Sequence, residues 1–350
     1  MEGNDEGSYI GWYSFFRKSV GLKRGHEITL FNRGNNKEVF TEVEQLIGDR
    51  DGDVSQLENR KWDVVMDTCG FAPHQMKKIA AVLGKTIEHY TYISSISVYK
   101  DWVPFNISED YHLQSIPHDR LKDILKDVEE GRISPYEHYG ALKVLCEAEA
   151  EKYWPGRVLH IRAGQLVGPF DYTDRLPYWV QRVEEGGKIV VPGRPERPIQ
   201  LLDVRDIATW VFDMVQKRKA GTFNVTGPEY ELTMEELLNT CKVVTNSDAE
   251  FVWVDEQFAL DHKVQPWSQM PLWIPEQYPL EGETEPWKMS ISIKKALHAG
   301  LSFRPLEETI HDVYQWERGR QDSKRKTGIS HEKEQQLLDA WFQKETNETL

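Results

Sequence analysis

A chain of 350 residues with 39% hydrophobic and 29% charged residues has enough apolar mass to bury a full core, which excludes a peptide-sized module, a fibre and wholesale disorder. Its net charge of −14 makes the average surface repel nucleic-acid phosphates and anionic membranes, so no general nucleic-acid binding is expected. The three cysteines, Cys69, Cys146 and Cys241, stand far apart without CxxC or Cys/His ligand spacing, which argues against a disulfide framework and a zinc site and fits a reducing compartment.

The first residues, MEGNDEGSY, are acidic where a signal peptide is basic, and no apolar run approaches the roughly 20 residues that cross a bilayer. A cytoplasmic protein without a membrane partner is expected. From Glu27 short β-rich runs alternate with helical stretches: EITLF, DVVMD, TYISSISVY and RVLHIRA. Strands separated by helices imply βαβ units, hence an α/β fold with a doubly wound parallel sheet and a ligand crevice at the carboxyl ends of its strands. Ser134 to Lys152 carries the clearest helix start, with Ser134 as N-cap, Pro135 at the first helical position and Glu137 completing a capping box. After Gly168 proline, glycine, tryptophan and tyrosine become frequent, which predicts a smaller, loop-rich second lobe. The division expected is a core over 1–168, a substrate lobe returning to the core over 169–321, and a linker and final helix over 322–350. That helix, opened by Ser330 and carrying Leu337, Leu338 and Trp341, is expected to pack on the body. The Asn-x-Ser/Thr triplets at Asn106, Asn224 and Asn347 read as chance matches.

Tyr139 and Lys143, in YGALK, fall four apart, which on a helix puts both side chains on one face. Of the fourteen tyrosines only this one has a lysine at that spacing. A phenol with a pKa near 10 is a poor base at neutral pH until an adjacent ammonium favours its phenolate. By itself the spacing also suits a surface lysine beside a half-buried tyrosine. Upstream, Thr91 to Tyr99 reads as a strand delivering hydroxyls to the sheet's carboxyl edge.

A strand ending in SSxSVY and followed by YxxxK on a helix resembles the active-site pattern of atypical or extended short-chain dehydrogenase/reductases, the NAD-dependent epimerase/dehydratase family. The likeness runs from about residue 25 to about residue 345. It implies a Rossmann core and a catalytic set in which Ser95 polarises the substrate oxygen, Tyr139 exchanges its proton, and Lys143 tunes Tyr139 and anchors the cofactor ribose. Ser94 and Ser97 are then left to local backbone bonds. In FNRG, Asn32 and Arg33 replace the acidic residue that would hold the 2′-hydroxyl of NAD, and a guanidinium suits the 2′-phosphate of NADP, so NADP is preferred over NAD. Asp49, in GDRDGD, matches the adenine-contacting position, against the plain alternative of an acidic turn. Asp67, Thr68 and Cys69, in DTCG, match the strand end beneath the cofactor. Arg162, in RAGQLVGPFD, opens the segment that reaches the nicotinamide end, and LLDVRDIA from Leu201 marks where the second lobe rejoins the core.

The activity so implied is that of an NAD(P)-dependent oxidoreductase or epimerase on a secondary alcohol or ketone, in a sugar or nucleotide-sugar, without a metal and as a homodimer. Ile96 and Ser97 stand where dehydratases carry an Asp-Glu pair, which disfavours water elimination, and the family's upstream Asn has no counterpart. Arg175, Arg197 and Arg205 are candidates for an anionic substrate group, against the plainer reading of surface arginines. The competing class is a non-catalytic relative that binds RNA or senses NADP(H).

The likeness fails where the first strand should end in GGxxxxG, because Tyr9 to Lys18 read YIGWYSFFRK, with Trp12 and Phe15 in place of small residues. Permitted codons for that stretch, read one nucleotide later, give ILGGTRFLGK. The beginning of the chain, to about Gly21, therefore has the form of an out-of-frame glycine turn, the alternative being a divergent N-terminus.

Overall fold

The structure is a computed structural model and describes residues 20–34, 41–84, 87–101, 105–171, 173–276, 290–320 and 325–348. The first part of the chain forms β1 (Thr29–Asn32), β2 (Glu44–Ile47), β3 (Val64–Asp67), α1 (Pro73–Leu83), β4 (His89–Ser95), α2 (His118–Glu129), α3 (Tyr139–Tyr153) and β5 (Val158–Ala163). It continues through β6 (Gln165–Val167), α4 (Arg175–Glu184), β7 (Lys188–Pro192), β8 (Pro198–Ile199), β9 (Leu201–Asp203), α5 (Val204–Gln216) and β10 (Gly221–Val225). The last part holds β11 (Leu232–Thr233), α6 (Met234–Thr245), β12 (Glu250–Val254), α7 (Glu256–Asp261), α8 (Lys294–His298), α9 (Leu306–Gly319) and α10 (His331–Glu348).

Strands β10, β5, β4 and β3 make a four-stranded sheet in that order, every pair parallel, and β1 and β2 make a separate parallel pair. Strand β4 is buried along its whole length, and its alternating residues meet different neighbours. Tyr90 and Tyr92 pack with Met76 and Ile79 of α1, with Cys146 and Ala150 of α3, and with Trp154 just beyond its end. Ile93 packs with Ile161 of β5, Phe223 of β10, and Ile207 and Trp210 of α5. Helices thus cover both faces, the doubly wound parallel arrangement that the alternating runs predict. The first strand and glycine turn expected from the sequence fall within residues 1–19, which lie outside the described residues.

The lobe has its own core around the parallel pair β7–β12, built from Trp179 and Val183 of α4, Leu237 and Leu238 of α6, and Ile310 of α9. Leu337, Leu338 and Trp341 of α10 are buried in the same core. Pro177 sits in the first turn of α4, where a missing N–H costs nothing. Asn224 is fully buried, its amide donating to the carbonyls of Ile107 and Ser292, so its triplet marks a core residue. Among the described residues no helix is long and apolar enough to cross a membrane, and no cluster of His, Cys, Asp and Glu is placed to hold a metal.

Candidate active site

Strand β4 ends at Ser95, and the chain turns into a single 3-10 turn, Ile96–Val98. Ser95 makes that turn: its Oγ accepts from the Ser97 amide and donates to Ser97 Oγ, both at 3.1 Å. Opposite, the predicted capping box is formed, with the Tyr136 amide on Ser134 Oγ and the Ser134 amide on Glu137 Oε1. One 3-10 turn, Pro135–His138, precedes Tyr139, the first residue of α3. Gly140 is buried against the Ser97 turn, where a Cβ would collide with the Ser97 carbonyl and the Gln114 amide. Glycine there lets the start of α3, and Tyr139 with it, press against the hydroxyls that β4 delivers.

One helical turn further, Lys143 is 2% exposed. Its Nζ donates to the carbonyls of Gly70 at 2.9 Å and Ile93 at 2.6 Å, and lies 4.4 Å from the Tyr92 ring centroid and 5.9 Å from that of Tyr139. Burial disfavours the ammonium and pulls its pKa down to about 8.

Two cavities flank this helix start. The larger, about 790 Å³, opens over the ends of β1 and β2 and is lined by Asn32, Arg33, Asp49, Cys69 and Phe71, with the segment from Val128 to Tyr136 as its far wall. The smaller, about 360 Å³, is lined by Ser97, Gln114, Arg120, His138 and Tyr139. Tyr136 lines both, and its ring centroid is 5.7 Å from that of Tyr139.

Residues 21–226 match the NAD dependent epimerase/dehydratase family. The chain belongs to this family. A curated relative, the chloroplast stem-loop binding protein of 41 kDa b from Arabidopsis thaliana, is 29% identical over 247 residues, which are 65% of this chain and 58% of that protein. The chain therefore spans little more than half the length of that relative. Among solved structures, UDP-glucuronic acid 4-epimerase from Bacillus cereus in complex with NAD superposes with a TM-score of 0.60 at 13% identity, covering 89% of this chain and 96% of that one. UDP-N-acetylglucosamine 4-epimerase from Methanobrevibacter ruminantium M1, in complex with UDP-N-acetylmuramic acid, gives 0.61 at 16% identity with the same coverage. At such identities these structures establish the shared Rossmann fold.

Asn32, Arg33 and Asp49, the residues expected at the adenosine end of a dinucleotide, all line the larger cavity. Arg33 is exposed at the rim and makes no ion pair among the described residues, Asn32 Oδ1 accepts from the Gly34 amide, and Asp49 Oδ1 accepts from the Asp51 amide. The pyrophosphate turn would fall at residues 9–18, outside the described residues.

Several expected site residues stand elsewhere. Asp67 is turned under the floor: it takes both Arg50 guanidinium nitrogens, at 2.8 and 2.9 Å, and accepts from Tyr90 Oη and the Cys69 amide. Burial pushes its carboxyl up, but Arg50 outweighs this and holds it well below the usual carboxylate range. Cys69 does line the cavity, its Sγ accepting from Arg50 and its thiol pushed up chiefly by burial. Thr68 is half-buried and lines neither cavity. Arg162 is a core residue, 4% exposed, with its guanidinium taken up by Glu147, Tyr99 Oη and the Glu109 carbonyl. Arg197 pairs with Glu256, and Arg205 with Asp203 and Asp312, so neither is free to meet an anion.

Ser97, left to backbone duty by the sequence reading, lines the cavity that Tyr139 lines, and its Oγ accepts from Ser95 Oγ. The signal was the third serine of SSxS. It was unreadable because strand alternation stops at Ser95, where the 3-10 turn begins.

Proposed function

We propose that this chain is an NAD(P)-dependent oxidoreductase or epimerase that acts on a secondary alcohol or its ketone in a sugar-like substrate. The observation that carries the reading is that Tyr139 and Ser97 line one cavity, and that Tyr136, which lines it too, also lines the larger cavity holding Asn32, Arg33 and Asp49. A bound nicotinamide dinucleotide supplies hydride acceptance and return. Tyr139 moves the proton at the substrate oxygen, and the nearby Lys143 ammonium favours its phenolate form. Ser97 hydrogen-bonds the same oxygen, oriented by the bond from Ser95 Oγ to its own Oγ. Arg33 at the adenosine end, unpaired among the described residues, favours the 2′-phosphate of NADP over the hydroxyl of NAD. Arg50, paired to Asp67, fixes the floor on which Cys69 and Phe71 stand. The setting proposed is the cytoplasm, as a homodimer, with the three cysteines free as described.

The test is Tyr139→Phe. Turnover of ketone substrates with NADPH falls by about 10²- to 10⁴-fold, the usual worth of positioned proton transfer, while NADPH affinity stays within a factor of two. Unchanged turnover sinks the reading.

The name of the Arabidopsis relative favours a second reading, stem-loop RNA binding without catalysis. Filter binding to an RNA hairpin separates the two: phosphate-driven association weakens steeply with salt, and a surface of net charge −14 is expected to show none.

A further inference from the structure

Arg120 shares the smaller cavity with Tyr139, and the fold does not use its charge. It stands in the first turn of α2, and Ile124, one turn further on the same face, lines the cavity with it. Ile124 belongs to a buried cluster with Ala72, Val128 and Leu142, and Leu142 lies three residues past Tyr139 on α3. The packing that docks α2 on α3 therefore also keeps Arg120 in the wall of the cavity that Tyr139 lines. Asp119, Asp123 and Asp127 share its helix, yet Arg120 makes no ion pair among the described residues. Arg132, just past the other end of the helix, pairs with both Asp127 and Glu130. Glu137 is the one carboxylate among the described lining residues, and its Oε1 accepts from the Ser134 amide in the capping box before Tyr139. Acidic side chains outnumber basic ones by 57 to 43 in this chain, so a guanidinium left without one in a cavity wall is open to an anion from solution.

We propose that Arg120 is a specificity-determining residue: it binds the anionic group of an acidic sugar, a carboxylate or a phosphate, and so sets the secondary alcohol of that sugar at Tyr139. This rests on the proposed reading that Tyr139 is the reacting phenol. The planar fork of a guanidinium matches two oxygens of either anion, and a substrate held at one end presents its reacting carbon in a fixed place. The cavity, about 360 Å³, lies at the low end of the roughly 300–1,000 Å³ that small-molecule sites span, which suits a monosaccharide carrying one such group. Arg120 is exposed, so water competes for it and the contact is worth about tenfold in affinity, the lower end for a charge-assisted bond.

The experiment is calorimetric titration of the full chain with D-glucose, D-glucuronate and D-glucose 6-phosphate. At least one acidic sugar is expected to bind about tenfold tighter than glucose, and which of them does so tells a carboxylate site from a phosphate site. Arg120→Ala brings that sugar down to the affinity of glucose, Arg120→Lys keeps part of the margin, and Arg33→Ala, at the larger cavity, leaves it whole. Near-ultraviolet circular dichroism checks that each variant folds. Acidic sugars that bind no tighter than glucose overturn the proposal. So does a margin that survives in Arg120→Ala, or one lost in Arg33→Ala, which places the anion in the larger cavity. Tyr139→Phe separates this from the catalytic reading, because it lowers turnover and keeps the margin. A wild type that shows the margin without turnover refutes the enzyme and leaves the Arg120 site standing, whereas turnover without the margin does the reverse.

Discussion

Lys143 holds a positive charge where water does not reach, and two carbonyls and a tyrosine face only partly replace its solvation. Its pKa of about 8 lies below the 10.5 of an exposed lysine, so below pH 8 the folded chain bears the whole penalty of a buried ammonium. Between pH 8 and 10.5 the folded state releases that proton while the unfolded state keeps it, and stability rises with pH across this window. The linkage is on the order of 3 kcal/mol at one pH unit per about 1.4 kcal/mol. Urea unfolding at pH 7.5 and pH 10 measures it: the wild type gains relative to Lys143→Met, and an equal response in both chains removes Lys143 as the cause. On the proposed mechanism activity runs the other way, because there the ammonium favours the Tyr139 phenolate. The kcat/KM profile, which reports the free enzyme, is therefore expected to fall above about pH 8. Arg33 makes a second prediction at this scale. Arg33→Ala weakens NADPH binding about tenfold to a hundredfold, the worth of a charge-assisted contact, and leaves NADH within a factor of two. Equal losses for both nucleotides would show that the guanidinium meets no 2′-phosphate.

At the level of elements, helix α3, which carries Tyr139 and Lys143, is fastened to the sheet by a buried ion pair. Arg162 on β5 meets Glu147 on α3 at 3.1 and 2.8 Å, and the same guanidinium reaches Tyr99, whose hydroxyl bonds Asn224 on β10. Removing one member leaves the other charged and buried, so Arg162→Met is expected to lower unfolding free energy by about 3–5 kcal/mol, and Arg162→Met with Glu147→Leu to recover most of it. Equal stability of the single variant and the wild type in urea would mean that the helix is held otherwise. The contact also shows why some of the site was legible and some not. The capping box at Ser134 and the Tyr139–Lys143 spacing are local, written within a few residues, and the structure forms both as read. Arg162 finds its partner fifteen residues away, through a helix-to-strand packing that no spacing announces, and its place in a familiar segment suggested a cofactor contact instead. The parallel sheet followed from alternating β-rich and helical runs. The segment from Gln114 to Tyr136, which walls both cavities, went unread because its charged helix α2 has the look of a solvated surface.

Across the whole molecule, the described residues form two parallel pieces, β2–β1 and β3–β4–β5–β10, and on the proposed reading the pyrophosphate of the cofactor is held by the turn expected within residues 9–18. Only glycines let a backbone approach a pyrophosphate at a helix N-terminus, and the sequence there offers Trp12 and Phe15. The larger cavity carries Arg33 and Asp49, the groups proposed to face the cofactor, so nucleotide affinity is expected to be limited by ten residues and not by the fold. Replacing Tyr9–Lys18 with ILGGTRFLGK, the reading one nucleotide on, supplies the glycine turn without touching any residue of the two cavities. NADPH fluorescence titration of both chains is the measurement, and the expected result is at least tenfold tighter binding by the repaired chain, with turnover at limiting NADPH rising in step. The coding DNA gives an independent check, since a shifted frame must yield that product and a divergent N-terminus need not. If both chains bind NADPH equally and tightly, the pyrophosphate is held without a glycine turn, and the adenosine-end contacts carry far more of the affinity than a family member of this kind requires.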